Sequence, residues 1–158
     1  MPGSEVSVSR RVRSGWLPPA RDFRRWADAV LGVRSAPKQV SVLLVGERRS
    51  RALNCHYRGR DKSTNILSFP ASPTAQRSSG LLGDLVICPA VLRAEAREQH
   101  KDVRSHWAHM VVHGMLHLLG YDHERERDAR RMERREVRVL RQLGIGNPYL
   151  STGGRSNG

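Results

Sequence analysis

HWAHMVVHGMLHLLGYDH, from His106 to His123, holds five of the seven histidines in the chain. The apolar residues Trp107, Met110, Val111, Leu116 and Leu118 run through it, and the stretch predicts a helix over about 103–119. On such a helix His113 and His117 are four positions apart, so both imidazoles leave one face, one turn above the other. Gly120 is placed to stop the helix, and the turn through Tyr121 and Asp122 returns His123 toward the same face. Three neutral imidazoles that leave a fourth position open suit a catalytic zinc site better than a closed structural one. Nickel, cobalt and copper accept imidazole as well, so the donor set does not by itself select zinc. A glycine inside a helix costs about 1 kcal/mol against alanine, and Gly114 therefore predicts close approach by another backbone or a ligand. His106 and His109 do not share the spacing that aims the other three, Trp107, Met110, Val111, Leu116 and Leu118 are read as core and helix packing, and His56 and His100 are read as ordinary histidines.

The flanking sequence supplies the other layers of the fold. EVSVSRRV (5–12) alternates apolar and polar residues as a half-buried strand does. Pro18 and Pro19 open a helix whose Phe23, Trp26, Ala27, Val30 and Leu31 recur at helical spacing before Gly32 ends it. QVSVLLVG (39–46) reads as an interior strand, ERRSRALNCHYRG as a short helix, TNILSFP (64–70) as a third strand and PASPTAQRSSG as a polar loop. LLGDLVICP (81–89) is a fourth strand closed by a proline. Helices are predicted over about 90–99, 103–119 and 125–143, and STGGRSNG (151–158) is predicted to be a disordered tail. With no repeat and no internal linker, residues 1–150 are expected to form a single catalytic domain. Its class is α+β, with about four strands in a mixed sheet packed with helices and a metal site on a helix of the C-terminal half and the turn after it.

The chain has 158 residues, enough for one buried core. It carries 28 Lys+Arg against 15 Asp+Glu, a formal net charge of +13. That balance points to a polyanionic partner and leaves nucleic acid and an anionic surface undistinguished. No apolar run reaches the length of a membrane span, so no membrane partner is expected. The first fifteen residues lack the apolar core of an export signal, and a cytoplasmic location is expected. Cys55 and Cys88 are far apart and outside any C-x-x-C pair, so they are expected to be reduced, packed thiols with no disulfide partner.

A histidine trio with this spacing also occurs in metalloproteases of the H-E-x-x-H-x-x-G-x-x-H type, with the glycine at the position of Gly120. The general-base Glu of that motif is replaced here by Gly114, which disfavours a protease. Two other classes stay open: an RNA- or ribosome-binding module with a structural metal, and a hydrolase of another phosphate or amide substrate.

Three blocks in order, NCHYRGRDKSTNILSFP (54–70), LLGDLVICP (81–89) and HGMLHLLGYDH (113–123), closely resemble the YbeY family of bacterial endoribonucleases, also called rRNA maturation factors. The resemblance runs from about Val40 to Tyr149. It implies a metal-dependent, single-strand-specific endoribonuclease acting on the 3′ end of small-subunit (16S) rRNA and in ribosome quality control. The partners it implies are single-stranded or ribosomal RNA and the small ribosomal subunit with its assembly factors. It also implies that His113, His117 and His123 carry the metal, one Zn2+ per chain, and that Arg58 is the functionally important arginine. The helix after His123 departs from the family, where it is often acidic, by being rich in arginine.

A guanidinium at Arg58 suits the negative charge that develops on phosphoryl oxygens, although a salt bridge to Asp61 would also explain it. Asp84 and Asp122 are candidates to accept a hydrogen bond from a ligating imidazole, and Asp122 equally suits a capping role. Ser63, Thr64 and Asn65 are candidate RNA contacts, in a segment where a turn entering a strand would use the same residues. Arg127, Arg131 and Arg135 stack like charges along one row of the last helix, either as a solvated face or as a track for RNA phosphates.

Overall fold

The computed structural model describes residues 3–13, 15–32, 37–122 and 124–150. The predicted tail at 151–158 and His123 lie outside them. The elements run β1 (Glu5–Arg10), α1 (Ala20–Leu31), β2 (Gln39–Leu44), α2 (Glu47–Arg58), β3 (Ile66–Pro70), α3 (Pro73–Ser79), β4 (Leu81–Ile87), α4 (Pro89–Glu98), α5 (Val103–Leu118) and α6 (Glu126–Gln142). The sheet order is β1-β2-β4-β3, with β1, β2 and β4 parallel and β3 antiparallel to β4. This is the predicted α+β class with a four-stranded mixed sheet.

One face of the sheet carries Val40, Val42, Leu44, Ile66, Leu82, Leu85 and Ile87 into the main core, against Phe23 and Trp26 of α1, Trp107 to Leu118 of α5, and Met132, Val139 and Leu140 of α6. The opposite face has a smaller apolar cluster of Val45, Leu67 and Val86, joined by Leu43, Phe69 and Leu53 of α2. Helix α5 is therefore central: it touches α1, α4 and α6 as well as β3 and β4. Eleven of its sixteen residues are buried, so it lacks the single apolar stripe of a surface helix.

Two glycines let the layers meet. A Cβ on Gly114 would lie 2.6 Å from Cδ1 of Ile66 and 2.9 Å from Cδ2 of Leu85, so α5 rests on β3 and β4 at this residue. The close approach at Gly114 is thus by side chains of the sheet, and not by the backbone or ligand that the sequence suggested. Gly83 sits at φ +143 beside a register shift between β2 and β4, and a Cβ there would run into the Phe69 carbonyl oxygen and Pro70. The bulge keeps Leu82 and Leu85 on the same face although they are three residues apart.

The sequence boundaries need three corrections. Strand β1 ends at Arg10, and Val12 reaches the core from the connection that follows. Strand β3 begins at Ile66, because the Thr64 backbone is tied to the Ser50 hydroxyl, which donates to Thr64 O and accepts from Thr64 N. The segment expected to be a polar loop contains α3. Ser72 caps it by accepting from the Ala75 N–H, Pro73 occupies its first turn, and Gly80 ends it in the left-handed region. None of its residues is buried, so it has no apolar periodicity to read.

Replacing Gly114 with Ala should lower the unfolding free energy by about 1–3 kcal/mol, the scale of overpacking, in urea titrations followed by circular dichroism. Gly83→Ala should cost at least about as much, because it adds a disfavoured backbone angle to a backbone clash.

Candidate metal centre

Helix α5 starts at Asp102, whose carboxylate accepts from Ser105 N at 3.0 Å. It ends in a Schellman turn, with Tyr121 N donating to Leu116 O and Gly120 N to His117 O, both at 3.0 Å, and Gly120 at φ +99. That turn folds the Tyr121 carbonyl back under the last turn of the helix, where it accepts from Nδ1 of His117 at 3.1 Å. A carbonyl can only accept, so Nδ1 of His117 donates, and in the neutral ring Nε2 presents its lone pair.

His113 has the same arrangement with a different partner. Its Nδ1 lies 3.2 Å from Oε2 of Glu136, a residue of α6 that is 1% exposed. Burial alone would raise the pKa of that carboxyl, but hydrogen bonds from His109 and His113 outweigh burial and bring it down to about 2. The ionised carboxylate can only accept, so Nδ1 of His113 donates and its Nε2 also presents a lone pair. The two Nε2 atoms are 3.1 Å apart. In two neutral rings of this tautomer the facing lone pairs would repel at that separation, and a cation between them would relieve the repulsion. Two nitrogens sharing one tetrahedral zinc at about 2.0–2.1 Å would be separated by about 3.3–3.4 Å, so the pair fits such an ion. Among the described residues no third His, Cys, Asp or Glu completes the group.

Two residues that the sequence did not single out complete the surroundings. His109, outside the spacing of the trio, brings Nε2 to 2.9 Å from Oε2 of Glu136. Burial lowers the His109 pKa against the pull of Glu136, which keeps the ring neutral at neutral pH. The Tyr149 hydroxyl donates to Oε1 of Glu136 at 2.7 Å, and burial together with that carboxylate raises the Tyr149 pKa, so it stays a donor. One turn earlier, His106 meets Oε1 of Glu95 on α4 at 2.9 Å, and Glu95 also accepts from the Asn65 amide at 3.0 and 3.3 Å. A signal for Glu136 was available in the sequence: it stands four residues after Met132 and four before Leu140, in the apolar stripe of α6.

The structure distributes the remaining candidates widely. Arg58 ends α2 with its side chain exposed. Asp61, its alternative partner, is taken by Arg51 through Nε at 2.7 Å and Nη2 at 2.9 Å. Ser63 lines a cleft with Arg48, Arg51 and Lys62. Asp84 is exposed and lies one residue from Leu85, which faces α5, so it occupies the opposite sheet face, away from the histidines. Asp122 accepts from Glu124 N at 3.1 Å, a turn-forming bond. Arg131 stands 5.7 Å from the Tyr121 ring centroid and lines a cavity of about 410 Å³ with Gly120, Tyr121, Asp122 and Asp128. Arg127 is exposed one turn earlier, whereas Arg135 is partly buried and donates to Val30 O at 3.2 Å, closing the end of α1. Cys88 is buried as expected, but Cys55 is exposed on α2.

A mixed sheet under a buried helix, with two imidazoles on that helix turned toward each other by acceptors at their outer nitrogens, places the chain among α+β proteins with a histidine-based centre. The family model of endoribonuclease YbeY matches residues 18–144, and the chain belongs to that family, whose members are endoribonucleases, hydrolases of RNA. It also resembles the solution structure of TM1509 from Thermotoga maritima, with a TM-score of 0.60, 23% identity, and coverage of 96% of this chain and 93% of that one. At that identity the likeness speaks for the fold.

Glu95 provides a test of the histidine line by pH. Burial opposes its ionisation, yet hydrogen bonds from His106 and Asn65 leave its pKa below the ordinary 4.5. A lowered carboxylate stabilises the fold above its unfolded value and loses that contribution as pH falls through the folded value. Glu95→Gln should therefore be less stable than wild type at pH 7, with the gap closing as the pH drops below about 4.5. Urea midpoints measured across pH check this, and a gap independent of pH would contradict it.

Proposed function

We propose that the chain is a metal-dependent, single-strand-specific endoribonuclease that matures the 3′ end of small-subunit rRNA and takes part in ribosome quality control in the cytoplasm. His113, His117 and His123 would hold one zinc ion, with RNA and the small ribosomal subunit and its assembly factors as partners. The observation that carries the metal-dependent part is the pair of Nε2 lone pairs 3.1 Å apart, each set by an acceptor at Nδ1. A metal there would supply Lewis acidity toward a phosphoryl oxygen and toward water. The protein's part is to fix tautomers and recruit phosphate. Tyr121 O and Glu136 fix the Nδ1–H tautomer of the two neutral rings, which leaves each Nε2 as the donor toward a metal. Arg58, which makes no ion pair among the described residues, offers a planar fork to a non-bridging phosphate oxygen, where charge develops during cleavage. Arg127 and Arg131 lie beside the turn that follows α5 and suit the flanking phosphates. Arg135 serves the fold.

The reading as a metalloprotease has less support, since the position of its general base is a glycine that faces the Ile66 and Leu85 side chains of the sheet. A net charge of +13 is consistent with an RNA substrate.

His113→Ala and His117→Ala should each lose bound zinc, measured on protein purified without chelator, and lose cleavage of unstructured RNA together with it. Wild-type cleavage by a zinc-free variant would overturn the site. Arg58→Ala should retain zinc and fold but cleave about 10²-fold more slowly, the scale of one lost transition-state contact. Changing Arg127 and Arg131 together to Gln should weaken RNA binding and reduce the slope of log affinity against log salt by up to about 0.7 per lost contact on a single strand. An unchanged slope would show that this face does not meet RNA.

A further inference from the structure

A stripe on α6 that served packing alone would gain nothing from an ionised carboxylate, since an apolar residue of similar size avoids the desolvation that a buried charge suffers. Glu136 nevertheless stands there, between Met132 and Leu140, 1% exposed. Its two oxygens take three donors from two parts of the chain: Tyr149 O–H, from the turn after α6, at Oε1, 2.7 Å, and His109 Nε2–H and His113 Nδ1–H, both from α5, at Oε2, 2.9 and 3.2 Å. Tyr149 is itself held by its own N–H, which donates to Oδ1 of Asn147 at 2.8 Å in the turn beyond α6. His117 is oriented differently, by a backbone carbonyl four residues away in its own helix end. The orientation of His113 thus depends on how α6 and the turn after it dock on α5, whereas that of His117 is local.

We propose that Glu136 is a positioning residue for His113, and that Tyr149 and His109 hold its carboxylate so that Nε2 of His113 is kept as a lone pair for a metal ion. This rests on the metal reading above in its second half only; the tautomer of His113 is set with or without the ion. Removing such an outer partner from a ligating histidine typically weakens metal affinity by about 10–100-fold.

The test uses the full chain with Glu136→Gln, close in shape to the native side chain, and Tyr149→Phe. Fold is followed by circular dichroism and urea midpoint. Affinity for zinc and cobalt(II) is measured by competition with a chromophoric chelator, and the imidazole tautomers are read from 15N shifts of the metal-free protein. Glu136→Gln should keep the fold, bind both metals about 10–100-fold more weakly, and shift His113 away from a pure Nδ1–H tautomer while His117 stays unchanged. Tyr149→Phe, at a residue 43% exposed, should keep the fold and weaken both metals several-fold. A folded Glu136→Gln with wild-type affinity and an unaltered His113 tautomer overturns the proposal. Should that variant not fold, wild-type affinity and His113 tautomer in Tyr149→Phe overturn it instead. If the wild type takes up neither metal, the metal reading fails, and the His113 tautomer in Glu136→Gln still decides whether Glu136 positions the ring.

Discussion

Helix α5 is buried on most of its circumference, so each polar side chain it carries needs a partner from a neighbouring element or from its own end. Four histidines along it are met in order: His106 by Glu95 of α4, His109 and His113 by Glu136 of α6, and His117 by the Tyr121 carbonyl. An imidazole left without partners in this interior would cost on the order of the desolvation of a polar group, about 1–3 kcal/mol. The partners remove much of that penalty and at the same time decide which ring nitrogen bears the proton. The requirement that satisfies the fold therefore also fixes the tautomers of the ring line.

The same burial explains why the helix can be so close to the sheet and still present a polar edge. Gly114 sits in contact range of Ile66, Leu85 and the Ser68 hydroxyl, which donates to the Gly114 carbonyl at 3.3 Å. Its neighbour His113 points toward α6, because successive residues of a helix turn by about 100°. Thus the residue with least room for a side chain faces the sheet, and the residue that needs its side chain faces the gap between helices. A carboxylate at position 114 would point at the Ile66 and Leu85 side chains and away from the gap that the histidines face.

The strands and long helices were legible because their apolar residues repeat at the period of the element, as in Val40, Val42 and Leu44 of β2 or Phe23, Trp26, Ala27 and Val30 of α1. Helix α3 was hidden because nothing in it is buried; only Ser72, Pro73 and Gly80, its caps, betray it. The pairing of His113 with His117 followed from spacing, and their approach within 3.1 Å agrees with it. The position of Glu136 in the apolar stripe, four residues from Met132 and four from Leu140, marked it as buried, but its partners, and the role of Tyr149, appear only when α6 and the turn after it fold onto α5. The row of Arg127, Arg131 and Arg135 does not stay on one open face, for a geometric reason. Each step of four residues advances about 40° beyond a full turn, so Arg135 lies about 80° around from Arg127 and reaches the edge of the buried stripe.

That drift separates two populations within the surplus of basic residues. Arg104 is tied to the buried Asp22, Arg51 to Asp61, Arg130 to Glu126, Arg135 to the end of α1, and Arg10 to Pro18 O. The exposed pairs among these contribute little to stability, typically about 0–1 kcal/mol, but they spend the guanidinium forks on partners within the chain. Arg58 and Arg127 have no such internal partner among the described residues, and Arg131 leans on Tyr121 at the mouth of the cavity beside α5. A net charge spread evenly would raise affinity for any polyanion without choosing where it binds. Internal pairing narrows that choice: among the described residues, the guanidinium forks without an internal partner include those at the end of α2 and beside the turn that follows the histidines.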